Sequence, residues 1–458
     1  MRLSYQLRIC VLAAACAIGI HLPGALIHAE AEYHSYEELY PMHCSGNQYE
    51  VASLNDQGSF DQVACTTSWE TAKNEMYKLG DAGVIRHASS GSATKIINMN
   101  NGVVYSYPQR NNGAIAEIRQ FSSYQQNMKT TYVTVHREMR WKGLETWNGN
   151  GNGNVHIVLN GFDGFVNLSD VDLVPMKAVV RDIPLYLGGN DSTGLNEYPF
   201  LTHVRQAYYR VEQNGNYTDL VYHCFTGWGG SSGYPAEWTF AVGPAPEWMS
   251  VGDTYYSDDG TTFYRDRYFS DQAGIYYPYY QFLPLRTKSE IRAATYDSYL
   301  SERIGSSDSV MAGKGQAFVE NGMTYGMNAL LVYSIGILES GNGQSEYARK
   351  RNNLFGIAAY DSNPDAADYF SSVEQCIKEE MGILLRGYTD INDFRFFGPH
   401  LGNKGSGVNV KYAGDPYWGM KIAAIAYSID KRDNDYDGTL TDFNTASIGV
   451  IKDDQRIN

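Results

Sequence analysis

The spacing of hydrophobic and polar positions changes near Ser289. Before that residue, short apolar or alternating runs such as 83–86 and 131–135 predict β-strands, separated by turn-forming Gly, Pro and Asp. One helix is predicted among them, because the apolar residues of 68–79 fall on a single helical face. From Ser289 to about Asp430 the apolar spacing is helical. We therefore predict a multidomain chain with a β-rich N-terminal part and a mostly helical C-terminal part.

Turn signals subdivide the N-terminal part. An Asn-Gly run from Asn148 leads into Val155–Pro175, whose turns predict hairpins and which is similar to the closing strands of bacterial SH3-like wall modules. The stretch that follows is rich in Trp and Tyr, and the chain as a whole has 37 Tyr against 17 Phe. Tyr suits strands and half-exposed contact surfaces. The predicted domains are β-rich and small α/β modules with an SH3-like end over 32–182, a Tyr/Trp-rich β module over 183–289, a helical α+β domain over 290–432 and a tail over 433–458.

The charge balance disfavours two classes of partner. The formal net charge is −15, from 36 basic and 51 acidic residues, and no long Lys/Arg run occurs. Nucleic-acid binding normally requires a basic patch, and so does attraction to an anionic membrane surface. We predict that the protein binds neither nucleic acid nor, in its mature form, a membrane.

The first 31 residues have the pattern of an export signal. Arg2 and Arg8 precede an apolar run from Ile9 to Ile20, and Ala29 and Ala31 supply small residues at the positions that a signal peptidase reads. A membrane anchor is the alternative, but the apolar run is shorter than a membrane-spanning helix requires. We predict a cleaved signal peptide and a secreted, wall-associated protein.

The residues that most often bind metals are sparse. After the signal, four cysteines remain, and Cys44 and Cys65 lie close enough in sequence to pair across two strands. No Cys-x-x-Cys motif or His cluster occurs. The segment Asp433–Asn444 has the Asp spacing of a calcium loop, but Asn444 stands where a bidentate Glu is needed. We predict no metal and no cofactor.

One acidic residue lies in an unusual context. Residues 327–339 are almost entirely apolar, which predicts a buried helix, and Gly341 is placed to end it in a left-handed conformation. Glu339 is the last residue of this helix. Burial and the negative helix end both disfavour a carboxylate there, so they raise its pKa and favour a carboxylic acid that can donate a proton. The alternative is a surface Glu that caps the helix or forms a salt bridge.

The surrounding motifs resemble the glucosaminidase domain, glycoside hydrolase family 73. The family pattern places a small residue and two apolar residues before Glu-Ser/Thr-Gly-x-Gly-x-Ser. It is matched here by Gly336, Ile337, Leu338, Glu339, Ser340, Gly341, Gly343 and Ser345. Three further blocks, 314–328, 353–357 and 410–423, match other family segments in the same order. The resemblance covers about residues 290–432.

The resemblance implies a lysozyme-like, mostly helical fold that hydrolyses the β-1,4 bond between GlcNAc and MurNAc in peptidoglycan strands. Glu339 matches the general acid of the family. The family also uses a Tyr near its Asp-Pro segment; here that Tyr would align with Trp418, which leaves Tyr417 and Tyr412 as candidates. A second carboxylate, needed only by an inverting route, is assigned by position to Asp361, with Asp368 and Glu374 as alternatives. The predicted substrate-binding residues are Ser340, Asn353, Phe355, Tyr360, Tyr412 and Trp418.

Two other functions are compatible with parts of the sequence. A lytic transglycosylase shares the fold and one Glu, but usually has Gly-Leu-Met-Gln where this chain has Asn353–Ile357. A non-catalytic wall-binding protein would suit the aromatic N-terminal half, but would not need a buried acid. The sequence therefore favours a secreted endo-β-N-acetylglucosaminidase whose partner is the peptidoglycan strand.

Overall fold

The computed structural model describes residues 36–46, 48–87, 95–106, 116–120, 129–133, 137–147, 153–187, 200–226, 233–305, 307–357 and 368–433. These residues form two compact units. We call residues 36–208 and 223–238 the N-terminal unit, and residues 209–222 and 239–433 the helical unit. The predicted multidomain organisation, with sheets first and helices later, is confirmed. The stretch 183–289, set apart by its composition, contributes residues to both units.

The N-terminal unit begins with a small antiparallel sheet in the order β2-β1-β3-β4. The predicted helix at 68–79 is present as α2, and Oγ of Ser68 accepts the backbone N–H of Thr71 at its start (3.3 Å). Ala72 and Met76 are the buried residues of that helix. The elements are α1 (Tyr36–Leu39), β1 (Tyr49–Leu54), β2 (Phe60–Thr66), α2 (Trp69–Tyr77), β3 (Gly83–His87) and β4 (Lys95–Met99).

A second antiparallel sheet follows, with the strands in the order β11-β5-β8-β9-β10-β6-β7. The predicted hairpin at Asn160-Gly161 joins β9 to β10, and Phe162 pairs with Leu159 across it. Asn160 and Gly161 both have positive φ, as this tight turn requires. The elements are β5 (Gly102–Ser106), β6 (Ala116–Gln120), β7 (Lys129–Val133), β8 (Arg137–Trp147), β9 (Gly153–Leu159), β10 (Phe162–Asn167), β11 (Val171–Pro175), α3 (Met176–Arg181), β12 (Leu185–Leu187) and β13 (Phe200–Thr202).

The chain then forms several further strands. Residues 209–222 and those from 239 onward belong to the helical unit. Within that unit, Asp219 accepts hydrogen bonds from Tyr427 (2.7 Å) and Lys431 (3.1 Å). These bonds connect residues 217–222 to the C-terminal end of the last helix. The strands are β14 (Tyr208–Asn214), β15 (Tyr217–Thr226), β16 (Ala236–Pro244), β17 (Thr254–Tyr255), β18 (Thr262–Tyr264) and β19 (Gln272–Ile275).

Helices pack around α7 in the remainder of the helical unit. Ten of the eleven residues of α7 are buried, and seven of these belong to one hydrophobic cluster. The first long helix begins at Ala293, four residues after the change of pattern at Ser289. The helices are α4 (Tyr279–Phe282), α5 (Ala293–Ile304), α6 (Gly315–Tyr325), α7 (Ala329–Glu339), α8 (Glu346–Arg351), α9 (Val373–Ile383), α10 (Asn409–Tyr412) and α11 (Trp418–Asp430), with a π-helical turn at Leu384–Tyr388. Within the ranges described, none of the helices is long and apolar enough to cross a membrane.

Candidate active site

Helix α7 delivers Glu339 to its C-terminal end. At the other end of the helix, Oδ1 of Asn328 accepts the backbone N–H of Leu331 (3.0 Å), while its amide donates to Thr287 (2.9 Å). Asn328 is buried, so this cap anchors the helix from within the core. The predicted stop is confirmed, because Gly341 has φ +55° and the helix ends at Glu339.

The turn after Glu339 is held by hydroxyl groups. The hydroxyl of Ser340 donates to the carbonyl of Gly336 and accepts the backbone N–H of Gly343 (2.7 Å). Ser309 donates to the carbonyl of Asn342 (2.6 Å). A Cβ on Gly343 would lie 2.4 Å from Oγ of Ser309, so only glycine fits. Ser340 is thus buried within the turn that fixes the direction of Glu339.

The side chain of Glu339 is buried against an indole. Its residue exposure is 6%, and that of Trp418, the first residue of α11, is 2%. Nε1 of Trp418 donates to Oε1 of Glu339 at 2.6 Å. An indole nitrogen can only donate, so this bond fixes one oxygen of the carboxyl group as its acceptor. Two residues predicted from the sequence are thereby brought together.

A second buried carboxylate lies behind the indole. The ring of Tyr412 packs on Trp418, with centroids 4.7 Å apart, and its hydroxyl donates to Oε1 of Glu380 (2.9 Å). Glu380 lies on α9 and is 0% exposed. The sequence analysis missed it. The available signal was an acidic residue on the apolar face formed by Val373, Cys376, Ile377 and Met381.

The Asn-Leu-Phe-Gly-Ile block forms a closed loop. Asn353 accepts the backbone N–H of Ile357 (2.9 Å) and donates to the carbonyls of Ile357 (2.9 Å) and Asp368 (3.2 Å). Phe355 is buried, and its ring lies 3.4 Å from where a Cβ on Gly336 would be. Asn353 therefore closes the loop, and Phe355 packs against α7.

The Asp-Pro segment lies immediately before α11. The carboxylate of Asp415 accepts the backbone N–H of Tyr417 (3.0 Å) and pairs with Lys421. Tyr417 is buried, with its ring 5.5 Å from that of Tyr222. Tyr412, the other candidate, contacts Trp418 directly.

A buried lysine supports this segment. The ammonium of Lys404 donates to the carbonyls of Asn409 (2.9 Å) and Ala413 (2.8 Å). Burial lowers the pKa of Lys404 to about 7. Burial also lowers the pKa of His400, four residues before Lys404, to about 4. Lys404 thus holds the backbone that leads from α10 to Trp418.

The remaining predicted residues are placed as follows. Tyr360 and Asp361 lie outside the described residues. Asp368 is exposed, and Glu374 pairs with Lys314 (2.6 Å), whose hydrogen bond lowers the pKa of Glu374. Neither of these two has the buried, neutral-donor setting of Glu339.

The sequence also predicts a disulfide and the absence of a metal site. Cys44 and Cys65 are joined by a disulfide. Across the residues described, no group of three or more His, Cys, Asp or Glu side chains could hold a metal ion. Beyond Asp433, the calcium-like tail lies outside those residues.

Comparison with known families agrees with this geometry. Residues 315–431 match the Glucosaminidase family, described as mannosyl-glycoprotein endo-beta-N-acetylglucosaminidase. This range contains both carboxylates, the indole and the tyrosine described above. The C-terminal region of the chain is therefore a glucosaminidase domain, which is a glycoside hydrolase domain.

Individual relatives match the same region. A "Putative endo-beta-N-acetylglucosaminidase" of Streptococcus pneumoniae is 36% identical over 185 residues, which cover 40% of this chain and 26% of that protein. A "Bifunctional autolysin" of Staphylococcus aureus is 32% identical over 100 residues, 19% of this chain and 8% of that protein. The chain thus spans about a quarter of the first relative and less of the second. The crystal structure of a catalytic mutant of S. aureus Autolysin E with the disaccharide NAG-NAM matches 34% of this chain and 73% of that one, at 21% identity and a TM-score of 0.28.

Proposed function

We propose that this protein is a secreted endo-β-N-acetylglucosaminidase that cleaves the bond between GlcNAc and MurNAc in peptidoglycan, with Glu339 as the general acid. The observation that carries the proposal is the carboxyl group of Glu339, buried at the end of an apolar helix and bonded by the neutral N–H of Trp418. The match to the Glucosaminidase family and the similarity to autolysins support the substrate class. Turnover of the wall or cell separation would be its role.

The proposed chemistry needs a proton at the leaving oxygen. We assign that proton to Oε2 of Glu339, since Oε1 already accepts the indole N–H. Protonation lets the glycosidic oxygen leave as an alcohol while positive charge develops at the sugar carbon. Afterwards Glu339, now a carboxylate, can take a proton from water. The indole N–H favours the carboxylate, while burial favours the acid, so the two effects oppose each other.

Two alternatives are open for the group that stabilises or attacks the positively charged sugar carbon. Asp361 stays a candidate base for an inverting route. The 2-acetamido group of the substrate could instead attack, and that route needs no second carboxylate. The candidates for stabilising or binding the sugar are Tyr417, Tyr412 and Tyr360. The domain boundaries predicted from the sequence also stay predictions.

We propose that the predicted binding residues divide into two groups. Ser340, Asn353 and Phe355 shape the site from beneath, through the turn and loop that they hold. Trp418 and Tyr412 form its wall behind Glu339. The lysozyme-like architecture is part of this proposal.

The regions outside the glucosaminidase domain would hold the enzyme on the wall. Between residues 239 and 289, three described aromatic side chains of the helical unit are exposed, Trp248, Tyr268 and Tyr277. Aromatic faces suit the apolar faces of sugar rings. An SH3-like module at 155–175 would add a second contact, and the signal peptide would export the chain.

Product analysis tests the proposal. Purified peptidoglycan is digested with the mature protein and the fragments are analysed by mass spectrometry before and after borohydride reduction. We expect fragments with a reducible GlcNAc end, lost in Glu339→Gln. The matched control is Glu346→Gln, which should cleave normally. Glu346 is exposed, lies seven residues after Glu339 and pairs with Lys350.

Other products would contradict the proposal. Anhydro-MurNAc ends would identify a lytic transglycosylase. Reducible MurNAc ends would indicate a muramidase, and parental cleavage by Glu339→Gln would remove Glu339 as the acid. Strand binding without any release would support a wall-binding protein.

A further inference from the structure

Burial of the Glu380 side chain in the core carries a free-energy cost. It is completely buried on α9, among Cys376, Ile377 and Met381, all of them buried. Burial of a carboxylate costs free energy unless hydrogen bonds and charges compensate it. The chemistry proposed above does not use Glu380. A role that requires it would therefore explain its position.

The contacts of Glu380 lead to the catalytic acid in three steps. The hydroxyl of Tyr412 donates to Oε1 of Glu380 (2.9 Å). The ring of Tyr412 packs on the ring of Trp418 at 4.7 Å, with 31° between the planes. Nε1 of Trp418 then donates to Glu339 (2.6 Å). Each step joins buried side chains, so little free space allows one to move without the next.

We propose that Glu380 is a positioning residue for the glucosaminidase reaction, which holds Tyr412 and through it the indole N–H that Trp418 directs at Glu339. This inference rests on the proposed function. The Tyr412 hydroxyl is anchored by an acceptor on α9, while Trp418 begins α11, so the contact sets α11 against α9 at the site. Without the anchor, the Tyr412 ring gains freedom and the 2.6 Å bond to Glu339 loses its fixed donor.

Several groups interact with the Glu380 carboxylate from neighbouring elements. The Tyr412 hydroxyl approaches from α10 and the Cys376 thiol lies on α9 itself. Arg395 lies over the ring of Tyr388 (5.2 Å), which in turn packs on Tyr412 (5.3 Å). Asp393 mainly, and Glu380 to a smaller extent, raise the pKa of the Arg395 guanidinium. The negative charge of Glu380 is therefore partly balanced, while its direct donor remains neutral.

The bond and the charge of Glu380 have opposite effects on the acid. Loss of the anchor weakens the N–H bond that favours the Glu339 carboxylate, so the alkaline limb of the pH profile moves to higher pH. Loss of the negative charge alone favours the carboxylate and moves that limb slightly lower. Glu380→Gln removes the charge but keeps an acceptor. Tyr412→Phe keeps the ring and the charge but removes the bond.

The test compares kcat, KM and pH profiles on soluble glycan strands freed of stem peptides. We expect Tyr412→Phe and Glu380→Leu to lower kcat about tenfold, as a small misplacement of a catalytic group does, with KM within about twofold. Their alkaline limbs should move to higher pH. Glu380→Gln should recover most of kcat, with a limb unmoved or slightly lower.

The controls separate positioning from general damage. Glu379→Leu removes the neighbouring, partly exposed carboxylate on α9, and Tyr333→Phe removes another buried hydroxyl, which donates to the carbonyl of Tyr296 (3.0 Å). Both should keep the parental pH profile. Circular dichroism and thermal unfolding check that each variant folds. If Glu380→Leu does not fold, Tyr412→Phe alone tests the positioning role.

The outcomes also distinguish the inference from the proposed function. The positioning role alone would be overturned by three results together. The parent is active, Glu339→Gln abolishes that activity, and Tyr412→Phe keeps the parental pH profile. A limb that shifts equally in Glu380→Gln and Tyr412→Phe would also overturn it, since charge would then be the cause. A parent without activity, or an active Glu339→Gln, would remove the proposed function itself.

Discussion

Buried carboxylates have different hydrogen-bonding partners in the interior of the N-terminal unit and in the interior around Glu339. In the N-terminal unit, Oε1 of Glu50 binds the guanidinium of Arg86 (2.7 Å), and both side chains are almost completely buried. Around the proposed active site, neutral indole and hydroxyl groups donate to the buried carboxylates. Glu339 accepts from Trp418, and Glu380 accepts from Tyr412. Asp430, at the opposite end of α11, also accepts from a neutral donor, the hydroxyl of Tyr280.

The two kinds of partner differ in how they affect protonation of the carboxylate. Protonation of a carboxylate paired with a buried cation would leave that cation without compensation, so the charged form is strongly held. A neutral donor imposes no such cost. Asp219 and Asp433 of the helical unit also have cationic partners, Lys431 and the exposed Arg292, and Asp219 accepts from the Tyr427 hydroxyl as well. The helical unit therefore contains carboxylates with cationic partners and carboxylates that accept from neutral donors, and the two at the proposed site accept from neutral donors.

The largest expected effect lies in the N-terminal unit. Arg86→Met should lower the free energy of unfolding by about 3–5 kcal/mol, because it leaves Glu50 buried without its cation. Urea denaturation measures this change. The double variant with Glu50→Leu should regain much of the loss, while Lys78→Ala, which breaks an exposed pair with Glu75, should have no measurable effect. Equal midpoints for Arg86→Met and the parent would remove the distinction between the two interiors.

The next prediction concerns the neutral donor. Trp418→Phe should lower kcat about 10- to 100-fold, since it removes the N–H directed at Glu339 and retains an aromatic ring. Initial rates on soluble glycan strands measure the effect. Trp69→Phe, at a half-buried Trp of α2 in the N-terminal unit, is the control. Parental kcat in Trp418→Phe would show that the neutral donor is not needed.

The sequence predicted those features that local patterns encode. The helix that ends at Glu339, its glycine stop and α2 all follow from apolar spacing and end residues, and each is confirmed. Glu380 was missed because its importance depends on Tyr412, 32 residues later in the chain. The pairing of Arg86 with Glu50 likewise spans 36 residues. A contact between distant segments leaves no periodicity within either one, so local reasoning cannot find it.

A smaller effect is expected at the helix caps. Asn328→Ala should cost about 1–2 kcal/mol, because a buried cap of α7 and its bond to Thr287 are both lost. Ser68→Ala, at the exposed cap of α2, should cost about 0.5–1 kcal/mol. Urea unfolding of the two variants measures the difference. A greater cost for Ser68→Ala would contradict the view that the interior around α7 is the more demanding.

The last prediction extends the comparison to a buried base. Lys404 donates to two carbonyls, which are neutral partners like those of Glu339. Its pKa falls to about 7 in the folded protein from an ordinary value of 10.5. Between these two values the unfolded chain binds more protons than the folded one, so stability should rise with pH across this window. Below about pH 7 the ammonium is charged in both states and its burial cost applies in full.

Removal of the ammonium isolates this contribution. We expect the stability of the parent, relative to Lys404→Met, to increase by about 1 kcal/mol or less from pH 7 to pH 8 and to continue rising towards pH 10. Urea unfolding of both proteins at several pH values measures the difference, with Lys288→Met, an exposed lysine, as the control. Parallel curves would show that the two carbonyls offset the burial of Lys404. The neutral partners would then hold a charge as firmly as Arg86 holds Glu50, and the contrast between the two interiors would apply to acids alone.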